Sequence, residues 1–195
     1  MVALLLLAVV AQLPELRIEP TSGGSVIYVK NVSPQHQLTA FMIELVDYPG
    51  SFFSYFEDDL ASAAIPLPPG GERRIPLTNM TIGAVPEYVK VRAAIYSDGS
   101  SEGVPERVNN VLNRRHHLAD TVRKLILHIE TGDLKSWADT LAPPPGVKPA
   151  RRMTQDWVNQ TASRALLAKT VSDLEKGKSR ESVLIELRNI ESAIR

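Results

Sequence analysis

Two histidines and an aspartate near the middle of the chain come closest to a metal-binding pattern. His116 and Asp120 are four residues apart, a spacing that places two side chains on one helix face, and His117 lies beside them. A closed site needs three or four ligands, so the fold would have to bring His36 or His128 to join them. The alternative is a solvated face on which Asp120 pairs with a basic neighbour. We predict no metal and keep His116, His117 and Asp120 as weak candidates.

Other motifs that could support catalysis or cofactor binding are incomplete. Gly177-Lys178-Ser179 ends like a phosphate-binding loop, but Ser172 stands where that loop requires glycine, and a helical pattern precedes it. The acidic run Glu57-Asp58-Asp59 could offer oxygen ligands to calcium, yet it lacks the spacing of a calcium loop and is predicted to be an exposed turn. The chain has no cysteine, which excludes a thiol nucleophile and a thiolate zinc site. We expect no cofactor and no enzymatic activity.

The aromatic residues are concentrated in one short segment. Of eleven in the chain, five lie around Pro49-Gly50: Tyr48, Phe52, Phe53, Tyr55 and Phe56. Side chains alternate between the two faces of a strand, so a single half-buried strand cannot hide all five. Either they pack beneath the C-terminal helices, or some of them form a binding rim for a protein or glycan surface, since aromatic side chains bury large areas.

The neutral total charge hides two opposed halves. The whole chain has 22 basic and 22 acidic side chains, so no nucleic-acid partner is expected. Residues 13–103 carry 6 basic and 11 acidic side chains, a net charge of −5, whereas residues 104–195 carry 16 and 11, a net charge of +5. Either the helices dock on the sandwich, or the second half faces an acidic partner or anionic lipid surface. Candidates for this surface are Arg114, Arg115, Arg123, Lys124, Arg151 and Arg152.

The first half reads as strands separated by turn residues. The predicted strands are Leu16–Ile18, Val26–Val29, Leu38–Val46, Arg74–Leu77 and Val89–Tyr96. In the last of these, Val89, Val91, Ala93 and Ile95 alternate with polar residues, which predicts one buried face. No helical pattern lies between the strands, and this favours an antiparallel sandwich.

The later strands resemble those of immunoglobulin-like and fibronectin type III-like sandwiches. The resemblance is carried by the Pro-Pro-Gly-Gly-Glu turn at 68–72, the following Arg73–Leu77 segment, the alternating Val89–Tyr96 strand and the Ser-Asp-Gly turn after it. It implies a two-sheet sandwich over residues 13–103. The cysteine pair of antibody domains is absent, so no antibody-like function is implied. No full-length strand follows Gly99, which leaves one sheet edge for the following helix to cover.

The second half reads as three to four helices, for which no family resemblance is found. Residues 104–142 are predicted to form a helix ending at Thr131-Gly132 and a short helix capped by Asp133. Residues 143–150 are a proline-rich linker, and residues 151–195 are a helical hairpin with a break at Gly177 and a cap at Ser179. The predicted fold class is therefore α+β, an all-β antiparallel sandwich followed by an all-α region.

The start of the chain resembles a signal peptide. Residues 2–11 are apolar and uncharged, about half the length of a transmembrane helix, and Val9-Val10-Ala11 suits a cut before Gln12, although basic residues are missing. Residues 1–12 are therefore predicted to be a signal peptide, with a buried strand or an N-terminal apolar anchor as the alternatives, and a cytoplasmic location as the alternative to export. We predict an exported, non-enzymatic interaction or structural module of a bacterial envelope or secreted fraction, which binds a protein or itself. Alternatives are a metal-dependent or other hydrolase with its site at the seam of the halves, and a self-associating helical assembly protein.

Overall fold

The computed structural model of the chain describes residues 12–46, 55–60, 65–78, 88–141 and 154–194. Within them, seven strands precede four helices, which confirms the α+β class. The contacts divide the chain into two compact units. The described residues up to 60 and from 65 to 111 form the β-sandwich unit, and those from 112 onward form the helical unit. The long helix therefore begins in one unit and continues in the other.

The β-sandwich unit contains two antiparallel sheets. Their strands are β1 (Glu15–Thr21), β2 (Gly24–Lys30), β3 (Leu38–Val46), β4 (Tyr55–Asp58), β5 (Glu72–Thr78), β6 (Tyr88–Tyr96) and β7 (Ser101–Gly103). One sheet has the order β1-β2-β5 and the other the order β4-β3-β6-β7. All five strands predicted from the sequence are present, because each joins β-branched or aromatic residues to flanking turn residues.

The core of this unit lies between the two sheets. Ile27 and Val29 of β2, two residues apart on one face, pack with Phe41 and Ile43 of β3 in a single buried cluster. Ile75 of β5 joins them, so both sheets contribute to the same core. Two sheets whose inner faces share one core form a sandwich.

The alternation predicted for β6 holds only in its first half. Met42 pairs with Ala93 and Ile43 with Val91, so Arg92 has no register partner and forms a bulge. Val89 and Val91 pack on the core as predicted, but beyond the bulge it is Ala94 and Tyr96 that enter the core cluster. Ala93 and Ile95 are also buried, as predicted. The expectation that the opposite face is exposed is wrong beyond the bulge, because one extra residue reverses the facing of the residues that follow and turns Ala94 and Tyr96 towards the core.

Two short strands were not predicted. β7 pairs with β6 through Ser101, Glu102 and Gly103, so the edge after Gly99 carries a strand of three residues. β4 pairs with β3 and contains Glu57 and Asp58, which corrects the prediction that the acidic run is an exposed turn. Segments this short do not display enough alternation to be recognised from the sequence.

The helical unit is built on helices close to the predicted ones. These are α1 (Pro105–Thr131), whose residues up to Val111 belong to the β-sandwich unit, α2 (Leu134–Leu141), α3 (Gln155–Glu175) and α4 (Arg180–Ile194). The Ser179 hydroxyl accepts a hydrogen bond from the Ser182 amide at 3.2 Å, which confirms the predicted cap of α4. The apolar stripes of α1 and α4 meet in one core that contains Val122, Leu125, Val183 and Leu187. Among the described helices, none combines the length and the apolar character needed to cross a membrane.

Tyr96 should make the β-sandwich unit sensitive to alkali. It is buried, its hydroxyl donates to the carbonyl of Gln12, and burial, with a smaller effect of Glu102, raises its pKa from 10.0 to about 12. The folded chain therefore holds this proton more tightly than the unfolded chain. Its contribution to stability is complete below pH 10 and is lost as the pH rises towards 12. By pH 11 the loss should be about 1.4 kcal/mol.

Urea denaturation of the wild type and of Tyr96→Phe, at pH 8 and pH 11, measures this loss. The variant lacks the ionisable hydroxyl, so the wild type should lose about 1.4 kcal/mol more than the variant between the two pH values. Since lysine titration affects both proteins equally, the difference isolates Tyr96. Equal losses in the two proteins would contradict the assignment.

Candidate functional site

The three weak metal candidates lie on the exposed surface of α1. All three side chains are exposed. Asp120 forms an ion pair with Arg123, whose Nη1 lies 2.9 Å from Asp120 Oδ1. Within the described part of the chain, no group of three or more histidine, aspartate or glutamate side chains is arranged to hold a metal ion. Asp120 therefore pairs with a basic neighbour one turn away. The hydrolase alternative at the seam of the halves stays a prediction.

The candidate aromatic rim is only partly within the described structure. Tyr48, Phe52 and Phe53 lie outside the described residues, and Tyr55 is placed only as a β4 residue paired with Glu44. Phe56 is half-buried and packs on the sandwich core, with its ring centroid 6.3 Å from that of Phe41. This side chain therefore contributes to packing between strands, and the rim as a whole stays a prediction.

The candidate basic surface is divided by the structure. Arg115 is only 7% exposed, because it occupies a position on the apolar seam of α1, so it is not part of a basic surface. Arg123 is exposed but pairs with Asp120 and with Glu191, the latter at 3.0 Å. Arg114 is half-buried. Lys124 is exposed and forms no ion pair with another described residue.

Most of the basic surplus lies outside the described residues. Arg151 and Arg152 are there, together with Lys148 and Arg195. The described residues from 104 to 194 carry 12 basic and 11 acidic side chains, a net charge of only +1. A broad electrostatic surface on the described helices is therefore not supported, and any anion site there has to come from local geometry.

A cleft of about 390 Å³ lies where α1, α2 and the α3–α4 turn meet. Two of its basic residues, Lys178 and Arg180, already have protein partners. Lys178 pairs with Glu186 and lies 3.7 Å from Asp173, while the Arg180 guanidinium donates to the carbonyl of Ile129. The hydrogen bond and charge of Glu186 raise the pKa of Lys178 above its ordinary value. These contacts join the turn to its neighbouring helices, so two of the cleft's cations are not available to a ligand.

A second cleft, of about 210 Å³, is formed by α1, α2 and α3, and we call it the basic cleft. His117, Thr121 and Lys124 line it from α1, at positions separated by four and three residues, which is one helix face. No hydrogen bond or ion pair joins Lys124 to any other residue that the structure describes. The side chain is thus able to meet a ligand without first breaking a hydrogen bond or ion pair to any of the described residues.

The opposite wall of the basic cleft comes from α3. Gln160, Ser163, Arg164 and Leu167 line it, again at a spacing of three and four residues. Arg164 is exposed and, like Lys124, makes no ion pair within the described residues. None of the described residues that line the cleft is acidic. The two walls therefore combine two permanent cations, a histidine, an amide and two hydroxyls around an apolar base.

A pair of hydroxyl groups joins the two walls. The Thr121 hydroxyl lies 2.7 Å from Ser163 Oγ and 2.9 Å from the carbonyl of His117. A hydroxyl has one hydrogen, so Thr121 donates either to the carbonyl or to Ser163. When Thr121 donates to Ser163, the Ser163 hydrogen is free to point elsewhere. The pair can thus present one additional donor towards an acceptor in the cleft.

Trp137 closes the basic cleft from α2, and its ring is held in place by its surroundings. The indole stacks on the His128 ring, with centroids 4.5 Å apart and an interplanar angle of 15°. His128 Nδ1 lies 2.8 Å from Asp133 Oδ1, and the Thr131 hydroxyl donates to the same oxygen at 2.6 Å. The Thr131 hydrogen bond and the contact with His128 lower the pKa of Asp133.

Sequence reasoning found only parts of this site. Lys124 was among the basic candidates and His117 among the metal candidates, whereas Arg164, Ser163 and Gln160 were not singled out. The sequence feature that could have identified them is a spacing of three and four residues, which places them on one face of α3, as His117, Thr121 and Lys124 are on α1. Every helix has several faces with this spacing, so the feature is not specific. Which two faces meet depends on packing that the spacing does not encode.

Comparisons with protein-family models, curated proteins and solved structures found no match to this chain.

Proposed function

We propose that the protein is a non-enzymatic binding module whose helical unit takes up a negatively charged ligand in the basic cleft. The observation that carries this proposal is the lining of that cleft. Lys124 and Arg164 line it from two helices, none of its described lining residues is acidic, and neither cation is engaged by another described residue. Convergent cations next to apolar surface are the usual composition of a small anion site.

The β-sandwich unit is proposed to be of the immunoglobulin-like kind and to support binding structurally. Its order of three and four strands, β1-β2-β5 and β4-β3-β6-β7, suits a seven-stranded sandwich with connections that cross between sheets. The proposed location is outside the cytoplasm. A cut before Gln12 would keep the carbonyl that accepts the Tyr96 hydrogen bond in the mature chain. Cell fractionation tests the location, and a full-length cytoplasmic product would contradict it.

Calorimetric titration of the full chain with acetate and inorganic phosphate tests the binding proposal. Both anions should bind weakly at about 20 mM sodium chloride and several-fold more weakly at about 300 mM, because salt screens exposed charges. The double variant Lys124→Gln/Arg164→Gln should lose this binding. Lys176→Gln is the matched control, since Lys176 is exposed and does not line the cleft.

Two results would count against the proposal. One is the absence of any anion binding at low salt in a folded protein. The other is binding that the double variant and the Lys176→Gln control reduce equally, since this would indicate a general effect of net charge. Circular dichroism of each variant verifies that it is folded.

A further inference from the structure

We propose that the basic cleft selects a small aromatic carboxylate, whose acid group pairs with Lys124 and Arg164 and whose ring lies against Trp137. This inference rests on the proposed function, which requires only that the ligand be negatively charged. It adds the size of the ligand, the need for a ring and the orientation of the two ends.

The volume of the basic cleft limits the size of its ligand. The cleft has a volume of about 210 Å³. This is enough for one ring that bears one acidic group. Pockets for drug-sized molecules are larger, about 300 Å³ and above. A nucleotide or a lipid chain would therefore extend far outside the cleft, and a lone phosphate would leave most of it filled with water.

The polar groups of the cleft suit a planar acid group. The Arg164 guanidinium can donate two parallel hydrogen bonds to a carboxylate, and Lys124 adds a second charge from the facing helix. The Thr121–Ser163 hydroxyl pair can turn one hydrogen towards the ligand without losing the hydrogen bond between its members. A carboxylate has two oxygens and accepts all of these donors.

Trp137 and Leu167 supply the apolar part of the site. The Trp137 ring lines the basic cleft and is positioned by its stack on the His128 ring. His128 lines the larger cleft. A ring fixed in advance loses little conformational freedom when a ligand stacks on it. Leu167 is buried in the helical core at the base of the same cleft. An aliphatic acid as short as acetate would leave both of these surfaces uncovered.

Titration of the full chain with benzoate, followed by NMR of the tryptophan indole N–H signals, tests the inference. The chain has two tryptophans, and the Trp137→Phe variant identifies the signal of Trp137. Benzoate should shift that signal on saturation. Its Kd should be at least about tenfold lower than the Kd of acetate or of the neutral analogue benzyl alcohol.

Four variants distinguish the basic cleft from other sites. Lys124→Gln and Arg164→Gln should each raise the Kd of benzoate about tenfold, and Lys176→Gln should change it less than about twofold. Acetate, phosphate and benzoate binding with equal affinity would overturn this inference while leaving the proposed function intact. Benzoate binding that is insensitive to both cleft variants but reduced by Lys135→Gln would place it in the larger cleft and overturn the inference. Binding of no anion at all would overturn both proposals.

Discussion

Replacement of Gly103 by alanine should lower the free energy of unfolding of the β-sandwich unit by about 4 kcal/mol. Gly103 has a φ of 127°, a conformation that residues with a Cβ rarely adopt. An added Cβ would lie 2.9 Å from the Ala93 Cα and 2.8 Å from the Arg92 carbonyl carbon, and closer still to the Arg92 oxygen. These are backbone atoms of β6, so no side chain can move aside to make room. Backbone strain and steric overlap therefore add.

The neighbouring Gly99 offers a matched control in the same hairpin. Its φ is 82°, but an added Cβ would meet nothing within 4 Å. Gly99→Ala should therefore cost only about 1–2 kcal/mol, the conformational part of the effect. Urea denaturation of both variants measures the difference, which reports the close approach of β7 to β6. Equal losses for the two variants would contradict this approach, and with it the short strand at the sheet edge.

The extent to which the fold was predictable depended on segment length. β3 was predicted with its observed bounds, Leu38–Val46, because nine residues give repeated evidence of a strand. β7 has three residues, too few to alternate, and its pairing depends on the Gly103 backbone meeting Arg92. The bulge at Arg92 was also not predictable. It arises from the register between β3 and β6, and no residue in β6 alone signals it.

The candidate site was less predictable than the fold because it depends on which helix faces meet. Arg115 lies on the apolar seam of α1, which explains why it is buried although its charge suggested a surface position. That Lys124 and Arg164 line the same cleft could not be predicted, since the two residues are 40 positions apart along the chain. Charge and spacing identify basic residues, whereas tertiary packing decides whether two of them converge.

Asn31 illustrates a buried polar group on which the β-sandwich unit depends, and its loss should also be severe. It is fully buried, and its side-chain amide donates to the carbonyls of His36 and Leu67, each at 2.9 Å. Its side-chain oxygen accepts from the Ser33 amide at 3.0 Å. Asn31→Ala removes three hydrogen bonds. The Leu67 carbonyl keeps a second donor, the Leu38 amide. Among the described residues, the His36 carbonyl and the Ser33 amide have no hydrogen-bond partner other than the Asn31 side chain.

We expect Asn31→Ala to lower the free energy of unfolding by about 3 kcal/mol, since each buried group left without a partner costs about 1–3 kcal/mol. Asn113→Ala, an exposed helical position, should change it by less than about 0.5 kcal/mol. Urea denaturation at neutral pH measures both variants. A loss in Asn31→Ala as small as that of the control would contradict the described hydrogen bonds.

Asn31→Asp provides a sharper test because it keeps the size of the side chain and changes its hydrogen-bonding capacity and its charge. An ionised carboxylate has no hydrogen to donate and would face the His36 and Leu67 carbonyls, so at pH 7 this variant should be less stable than Asn31→Ala. Burial would raise the pKa of the new carboxyl group above its unfolded value of about 3.9. The folded state then binds the proton more tightly, so the stability of Asn31→Asp relative to Asn31→Ala should increase as the pH falls towards 4. A protonated acid can donate one of the two lost hydrogen bonds, which gives this increase its physical basis. If the two variants instead have the same pH dependence, the side chain at position 31 does not face the two carbonyls.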